Sequence, residues 1–141
     1  MSDPRVLHVI TGLNTGGAEH MLAQLVTALP RAVRPVGVVS LMDHGHYGAA
    51  IEAAGVPVFP LGMKPGKVSI PRLFDLARVI RRLAPDIVQS WMYHADLAAL
   101  AALRLSGRRD RTRLAWGVRC SDMDLRQYRR GLRRVIGLCT R

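Results

Sequence analysis

Val6-Leu7-His8-Val9-Ile10-Thr11-Gly12-Leu13-Asn14-Thr15-Gly16-Gly17-Ala18-Glu19 reads as a buried strand, a glycine turn and the start of a helix. Val6, Leu7, Val9 and Ile10 form a short apolar run without proline, bounded by Thr11 and Gly12, which suits a strand covered on both faces. Gly12, Gly16 and Gly17 bend the backbone and leave it bare of side chains where a ligand can approach. From Ala18 the apolar positions take helical spacing, with Ala18, Met21, Leu22, Leu25, Val26 and Leu29 on one face and Glu19, Gln24 and Thr27 on the other. A helix therefore begins at the glycines, its N–H groups and positive dipole end aimed back at the turn, an arrangement that suits phosphate. The alternative is a turn that merely has to be tight. Two better-known glycine loops fit poorly. A Walker loop needs Lys and Ser or Thr where Ala18 and Glu19 stand, and G-x-G-x-x-G is absent because three residues separate Gly12 from Gly16.

Outward from this stretch the pattern repeats. Pro30 closes the first helix, and Arg34 to Leu41 reads as a second strand with its proline at the edge of the run. The turn-rich Asp43 to Gly48 leads into a short helix over about 48–54, and Pro57 to Leu61 is a third strand. After the linker-like Lys64-Pro65-Gly66-Lys67 comes an amphipathic helix, with Ile70, Leu73, Leu76, Ala77, Ile80 and Leu83 on one face and Arg72, Arg78, Arg81 and Arg82 away from it. Ser69 suits its N-cap and Pro71 its first turn. Ile87 to Trp91 is a fourth strand, His94 to Leu105 a helix apolar nearly all round, and Thr112 to Val118 a fifth strand. Alternation without hairpin signals implies right-handed crossovers and a parallel sheet, so the fold class is α/β, doubly wound and Rossmann-like. From Leu125 a last helix places Tyr128, Leu132, Val135, Ile136 and Cys139 on one face, and Arg126, Arg129, Arg130, Arg133 and Arg134 on the other. That pattern fits either a core-packed helix with a solvated arginine face or a helix resting on anionic lipid.

At 141 residues the chain has the length of one domain and enough to bury a core. Its charge is uneven. Residues 1–70 hold five Lys or Arg and four Asp or Glu, whereas residues 71–141 hold sixteen and six, so nearly all of the net +11 lies in the second half. That half either meets an anionic partner or is a solvated arginine surface. Nucleic acid is not expected, because no recognition motif or aromatic stacking platform accompanies the arginines. The opening Met-Ser-Asp-Pro-Arg lacks the basic-then-apolar plan of a signal peptide, and no apolar run approaches the roughly 20 residues of a membrane span. The expected location is the cytoplasm, including the inner face of the membrane. Cys120 and Cys139 have no metal-ligand spacing and take no role.

In an open parallel sheet, ligands bind in the crevice at the C-terminal edge of the strands, where strand order reverses. Gly12 to Gly17, Asp43 to Tyr47, Trp91 to His94 and Gly117 to Asp122 gather there. His94 follows the fourth strand and suits either a site role, since an imidazole can orient or bind a hydroxyl, or a cap on the helix that starts there. His8 reads as a core or edge histidine and His20 as an outer helix residue. His44 and His46 have a spacing compatible with a metal but no visible third ligand. Asp96 reads as a first-turn carboxylate favouring its helix dipole. Asp122 and Asp124 either bind sugar hydroxyls or cap the last helix.

The string His8 to Glu19 resembles the opening of family-four retaining glycosyltransferases of the GT-B fold, which begin with a strand and a G-G-A-E-type loop. Pro85-Asp86-Ile87-Val88-Gln89-Ser90-Trp91-Met92-Tyr93-His94-Ala95-Asp96 resembles that family's P-D-[IV]-V-x-x-x-x-x-H-[AS]-[ND] segment, and Trp116-Gly117-Val118-Arg119 its following strand. The resemblance implies that residues 1–141 are the N-terminal, acceptor-side Rossmann-like domain, itself short of its last strands, and that the C-terminal donor-binding domain lies elsewhere. It assigns Gly16 and Gly17 to the donor diphosphate, His94 to the reacting centre, and Asn14, Tyr93, Arg119 and Asp122 to the acceptor. The implied reaction moves a sugar from a nucleotide-sugar donor to a glycan or lipid-linked acceptor with retention of configuration, and needs neither metal nor cofactor. A chain without the donor domain is expected to be inactive alone, so a separate chain that supplies it is an implied partner. The alternative is a non-catalytic α/β module, truncated or split, that binds a partner chain or an anionic surface. A redox Rossmann domain would use Asp43 at the end of strand two, but the glycine spacing is wrong for it.

Overall fold

The computed structural model describes residues 3–33 and 35–117. Its sheet is parallel throughout, in the order β3-β2-β1-β4-β5, from β1 (Val6–Ile10), β2 (Gly37–Ser40), β3 (Val58–Pro60), β4 (Ile87–Trp91) and β5 (Arg113–Gly117). The helices are α1 (Gly17–Ala28), α2 (Gly48–Ala53), α3 (Ile70–Leu83) and α4 (Tyr93–Leu105). Expected and observed strands and α-helices agree in number and order over the described residues, with ends displaced by a few residues as helix and strand ends fray, and a short 3-10 helix at Arg31–Val33 is additional to the expectation. The fifth strand is seen to Gly117. Val118, both cysteines, Asp124 and the arginine-rich last helix lie outside the described residues.

Alternation of side chains along the strands builds two cores. Leu7, Val9, Val39 and Val88 pack with Leu76, Ala77 and Ile80 of α3 and Ala95, Ala99 and Ala102 of α4. On the opposite face Ile10, Val38, Val58 and Trp91 pack with Leu22, Ala23 and Val26 of α1 and Ile51 of α2. Helices thus cover both faces, which is why β1, in the middle, is apolar at Leu7, Val9 and Ile10 without a break in register. Each such side chain contributes about 1.5–3 kcal/mol through burial.

The apolar stripes are narrower than helical spacing suggests. Met21 and Leu25 of α1 are 49% and 39% exposed, because α1 buries only the strip through Leu22, Ala23 and Val26. Ile70, the first residue of α3, is 67% exposed, and the buried residues of α3 begin at Leu76. Ser69 is the N-cap of α3 without a side-chain capping bond, and Pro71 lies in the first turn.

Strand order reverses between β1 and β4. Having run outward through β2 and β3, the chain returns across the sheet to lay β4 on the other side of β1. The two strands start together, with the Arg5 amide donating to Asp86 Oδ2 at 2.8 Å. They also end together, Ile10 opposite Trp91. The crevice expected of this architecture therefore opens above Ile10 and Trp91.

Candidate functional site

Two strand-to-helix turns stand side by side at that crevice. After β1, Thr11 to Gly16 crosses to α1, whose N-cap is Gly16 in extended backbone with no side-chain capping bond. Gly17, the first residue of α1, is exposed, and a Cβ added there would meet nothing within 4 Å. A Cβ on Gly16 would run into the carboxylate of Glu19. Glu19 was placed by sequence on the outer face of α1. It folds back over Gly16 instead, where a carboxylate is favoured by the helix dipole. What crowds Gly16 is thus the end of a flexible side chain rather than backbone.

The turn is braced from the β2 side. Leu13 is fully buried, and its carbonyl accepts the Tyr47 amide at 3.0 Å. Gly45 sits at φ +60, and a Cβ added there would run into the Leu13 carbonyl group, so both the angle and the space require glycine. Asn14 Nδ2 donates to Asp43 Oδ1 at 3.1 Å, and His20 Nδ1 lies 3.2 Å from the Tyr47 hydroxyl. His44 and His46 do not converge on a common third ligand. His44 Nε2 is 3.0 Å from Glu52 Oε2, and His46 packs edge-on to Tyr47 with ring centroids 4.9 Å apart.

The neighbouring turn, from β4 to α4, is built differently. Met92 reaches φ +76, a region that a side-chain-bearing residue rarely adopts, and is the N-cap of α4. Beneath it the buried Ser90 hydroxyl donates to Asp96 Oδ1 at 2.6 Å. Asp96 is only 4% exposed. Burial pushes its carboxyl above the usual carboxylate range, and the Ser90 hydrogen bond opposes that shift. Asp96 lies in the first turn of α4, as read from the sequence, and is also half of a buried clamp that the sequence did not announce. The turn delivers Tyr93, half-buried, and His94, exposed, as the first two residues of α4.

His8 and Trp91 join the two strands below both turns. The Trp91 indole N–H donates to His8 Nδ1 at 3.1 Å. Burial lowers the His8 pKa from 6.5 to about 4, and the indole donation favours the same neutral form. Two further polar groups at this edge, Thr11 Oγ1 and Ser40 Oγ, are buried with no hydrogen-bond partner among the described residues.

Of the residues singled out by sequence, Asn14, Gly16, Gly17, Tyr93 and His94 come to this one edge, on turns from adjacent strands. Arg119 and Asp122 lie outside the described residues, as do Arg126, Arg129, Arg130, Arg133 and Arg134. Sequence reading missed the Ser90–Asp96 clamp and the His8–Trp91 pair. The available signal was a serine in an apolar strand and an acid in an alanine-rich helix, two polar residues in buried patterns that have to satisfy each other.

A doubly wound domain with a glycine turn and a histidine-bearing turn side by side at its topological switch point is a Rossmann-like α/β architecture with a crevice at that edge. The sequence matches the model of Glycosyltransferase Family 4 over residues 15–139, and the chain belongs to that family. No curated protein matches the sequence. Among solved structures, HepE from Anabaena, crystallised in complex with UDP and glucose, is similar with a TM-score of 0.70 and 18% identity. The likeness covers 96% of this chain and 35% of HepE. At that identity it establishes the GT-B type of fold.

Proposed function

We propose that this chain is the acceptor-side portion of a glycosyltransferase that moves a sugar from a nucleotide-sugar donor to a glycan or lipid-linked acceptor with retention of configuration. The observation that carries the reading is the pairing of two turns at one sheet edge, one with open amides at a helix N-terminus and one presenting His94, in a Family 4 chain. In the reaction, the bond from the sugar's anomeric carbon to the diphosphate oxygen breaks, the acceptor hydroxyl oxygen bonds to that carbon on the same face, and the hydroxyl's proton passes to the departing diphosphate. The leaving diphosphate takes up charge as it departs. The Gly17 amide and the dipole of α1 stand ready to stabilise that charge, and they need no rearrangement beyond the movement of Glu19. His94 orients the reacting hydroxyls, and its rate contribution is positional. The donor-binding domain is supplied by further sequence or by a separate chain.

The test is sugar transfer by an enzyme that contains this domain together with a donor-binding domain. His94→Ala is expected to lower kcat about a hundredfold with the fold intact. Unchanged kinetics would take His94 out of the site.

A further inference from the structure

Opposite the crevice, at the edge where the strands begin, the chain gathers arginine. In a parallel sheet with helical crossovers, each helix runs back to end at this edge. Arg81 and Arg82 close the last turn of α3 and Arg104 that of α4, where the negative end of a helix dipole favours them. Arg5 ahead of β1, Arg108, Arg109 and Arg111 after α4, and Arg113 at the start of β5 have no such reason to be there.

Backbone hydrogen bonds hold this edge together. The Asp86 amide donates to the Arg5 carbonyl at 2.9 Å and the Arg113 amide to the Asp86 carbonyl at 2.8 Å. The Arg111 and Thr112 amides both donate to the Arg108 carbonyl at 2.9 Å, which winds 108–112 into one helical turn and makes Arg108 and Arg111 neighbours on its surface. Thr112 Oγ1 pins the end of that turn to the Pro85 carbonyl at 2.8 Å. Arginines on a fixed turn repel one another unless acids answer them. Between residues 104 and 113 the sequence has five arginines and one acid, Asp110. The ion pairs among the described residues all lie elsewhere, at His44, Arg72 and Arg78.

Arg108 adds a second observation. It is half-buried, and its Nε is buried with no hydrogen-bond partner among the described residues. An N–H in that state costs stability, and the guanidinium can turn towards an incoming acceptor with no hydrogen bond at Nε to break.

The charge of the turn says what that acceptor is. A single orthophosphate would answer one guanidinium and leave the others unrelieved. A row of linked phosphates answers several, since each planar guanidinium takes phosphate oxygens in pairs. Nucleic acid would bring bases too, and residues 104–113 include no aromatic ring to stack them. The one exposed large apolar side chain of the turn, Leu105, is too little to seat it on a bilayer.

We infer that Gly107 to Arg113 is a binding site for an oligophosphate, with Arg108 and Arg111 at its centre. The inference does not rest on the transferase reading, because this site lies at the opposite edge of the sheet from Gly17 and His94.

The experiment is calorimetric titration of the 141-residue chain with tripolyphosphate, at constant ionic strength in chloride and with no sugar donor present. Saturable binding is expected, at least about tenfold tighter than that of orthophosphate. Arg108→Gln with Arg111→Gln should weaken it at least about tenfold. Lys64→Gln with Lys67→Gln, an equal loss of charge ahead of α3, should leave it within about twofold. Arg108→Met removes the buried N–H, so in chloride its thermal midpoint should rise by a few degrees, while the further rise that tripolyphosphate gives the parent should be lost. Four results would each overturn the inference: no saturable binding of tripolyphosphate, orthophosphate bound as tightly, equal loss from the lysine pair, or a midpoint that falls in Arg108→Met, which would make Arg108 a brace of the turn. An oligothymidylate that displaces tripolyphosphate at about a tenth of its phosphate concentration would make this edge a nucleic-acid surface and overturn it too.

Discussion

At the β1–α1 turn the chain enters its helix through Gly16 and Gly17 with no side-chain cap. At the β4–α4 turn, one strand over, it enters through Met92 at φ +76 with Ser90 and Asp96 bonded beneath. Neither turn caps its helix with a side chain, so both leave helix N–H groups for something else to satisfy. What divides them is the backbone: the second holds a conformation worth about 1–3 kcal/mol of strain to fix where Tyr93 and His94 emerge, whereas the first is bare of side chains at Gly17. In the proposed reading the first would admit a ligand's charge and the second would aim side chains.

Acid should disturb both at once, because His8 and Trp91 lie beneath the pair. Above pH 6.5 His8 is neutral in folded and unfolded chains, and its burial is harmless. As pH falls from 6.5 towards about 4, the unfolded chain takes up a proton that the folded chain refuses, so stability declines. The expected loss is about 3 kcal/mol. Urea unfolding at pH 7 and pH 4.5, on the parent and on His8→Phe, checks this. A variant with the parent's pH slope would exonerate His8.

Next in size is the clamp. Asp96→Ala leaves the Ser90 hydroxyl buried without its partner, and should cost about 2 kcal/mol. Asp96→Asn keeps an acceptor for Ser90 and should cost far less. Equal losses from the two, by thermal unfolding, would show that the hydrogen bond is not what holds this turn.

The glycine turn should respond in binding rather than stability. Gly17→Val adds a side chain where the structure leaves open space, so the unfolding midpoint should hardly move. In an enzyme complete with its donor domain, affinity for its nucleotide-sugar donor should fall about tenfold, the effect of a side chain standing where phosphate approaches the amides. If calorimetry finds affinity unchanged, the open turn is not the phosphate site and the division between the turns collapses.

The smallest effect should come from Met92→Gly, which relieves the positive φ and removes a side chain that is 41% exposed. A gain of about 1 kcal/mol is expected in urea unfolding, net of the added chain entropy. A loss would mean that the turn is not strained at Met92.

The fold was legible because its signals are local. Buried parallel strands read as short apolar runs between turn residues, and α3 announces itself through the spacing of Leu73, Leu76, Ala77 and Ile80. The glycine turn was legible for the same reason, as was the place of His94 after a strand. What could not be read depends on which strands become neighbours. His8 and Trp91 are 83 residues apart and meet only because β4 returns to the side of β1. The Ser90–Asp96 bond spans a turn whose unusual backbone no residue in Trp91-Met92-Tyr93 advertises. Helical spacing also overstated burial at Met21, Leu25 and Ile70. It reports which residues share a face, not how far the sheet beneath extends.

The lock between Arg5 and Asp86 joins residues 81 apart in the chain, and this separation sets a clock. During synthesis β1 is the first of these five strands to be made, yet its β4-side edge stays unpaired until Asp86 and the strand after it have been added. At about 5–20 residues per second, that is a wait of roughly 4 to 16 s. For those seconds an apolar strand with open N–H and C=O groups is available to any other nascent chain or chaperone. The strand on which the finished domain is centred is therefore the one that waits longest to be enclosed.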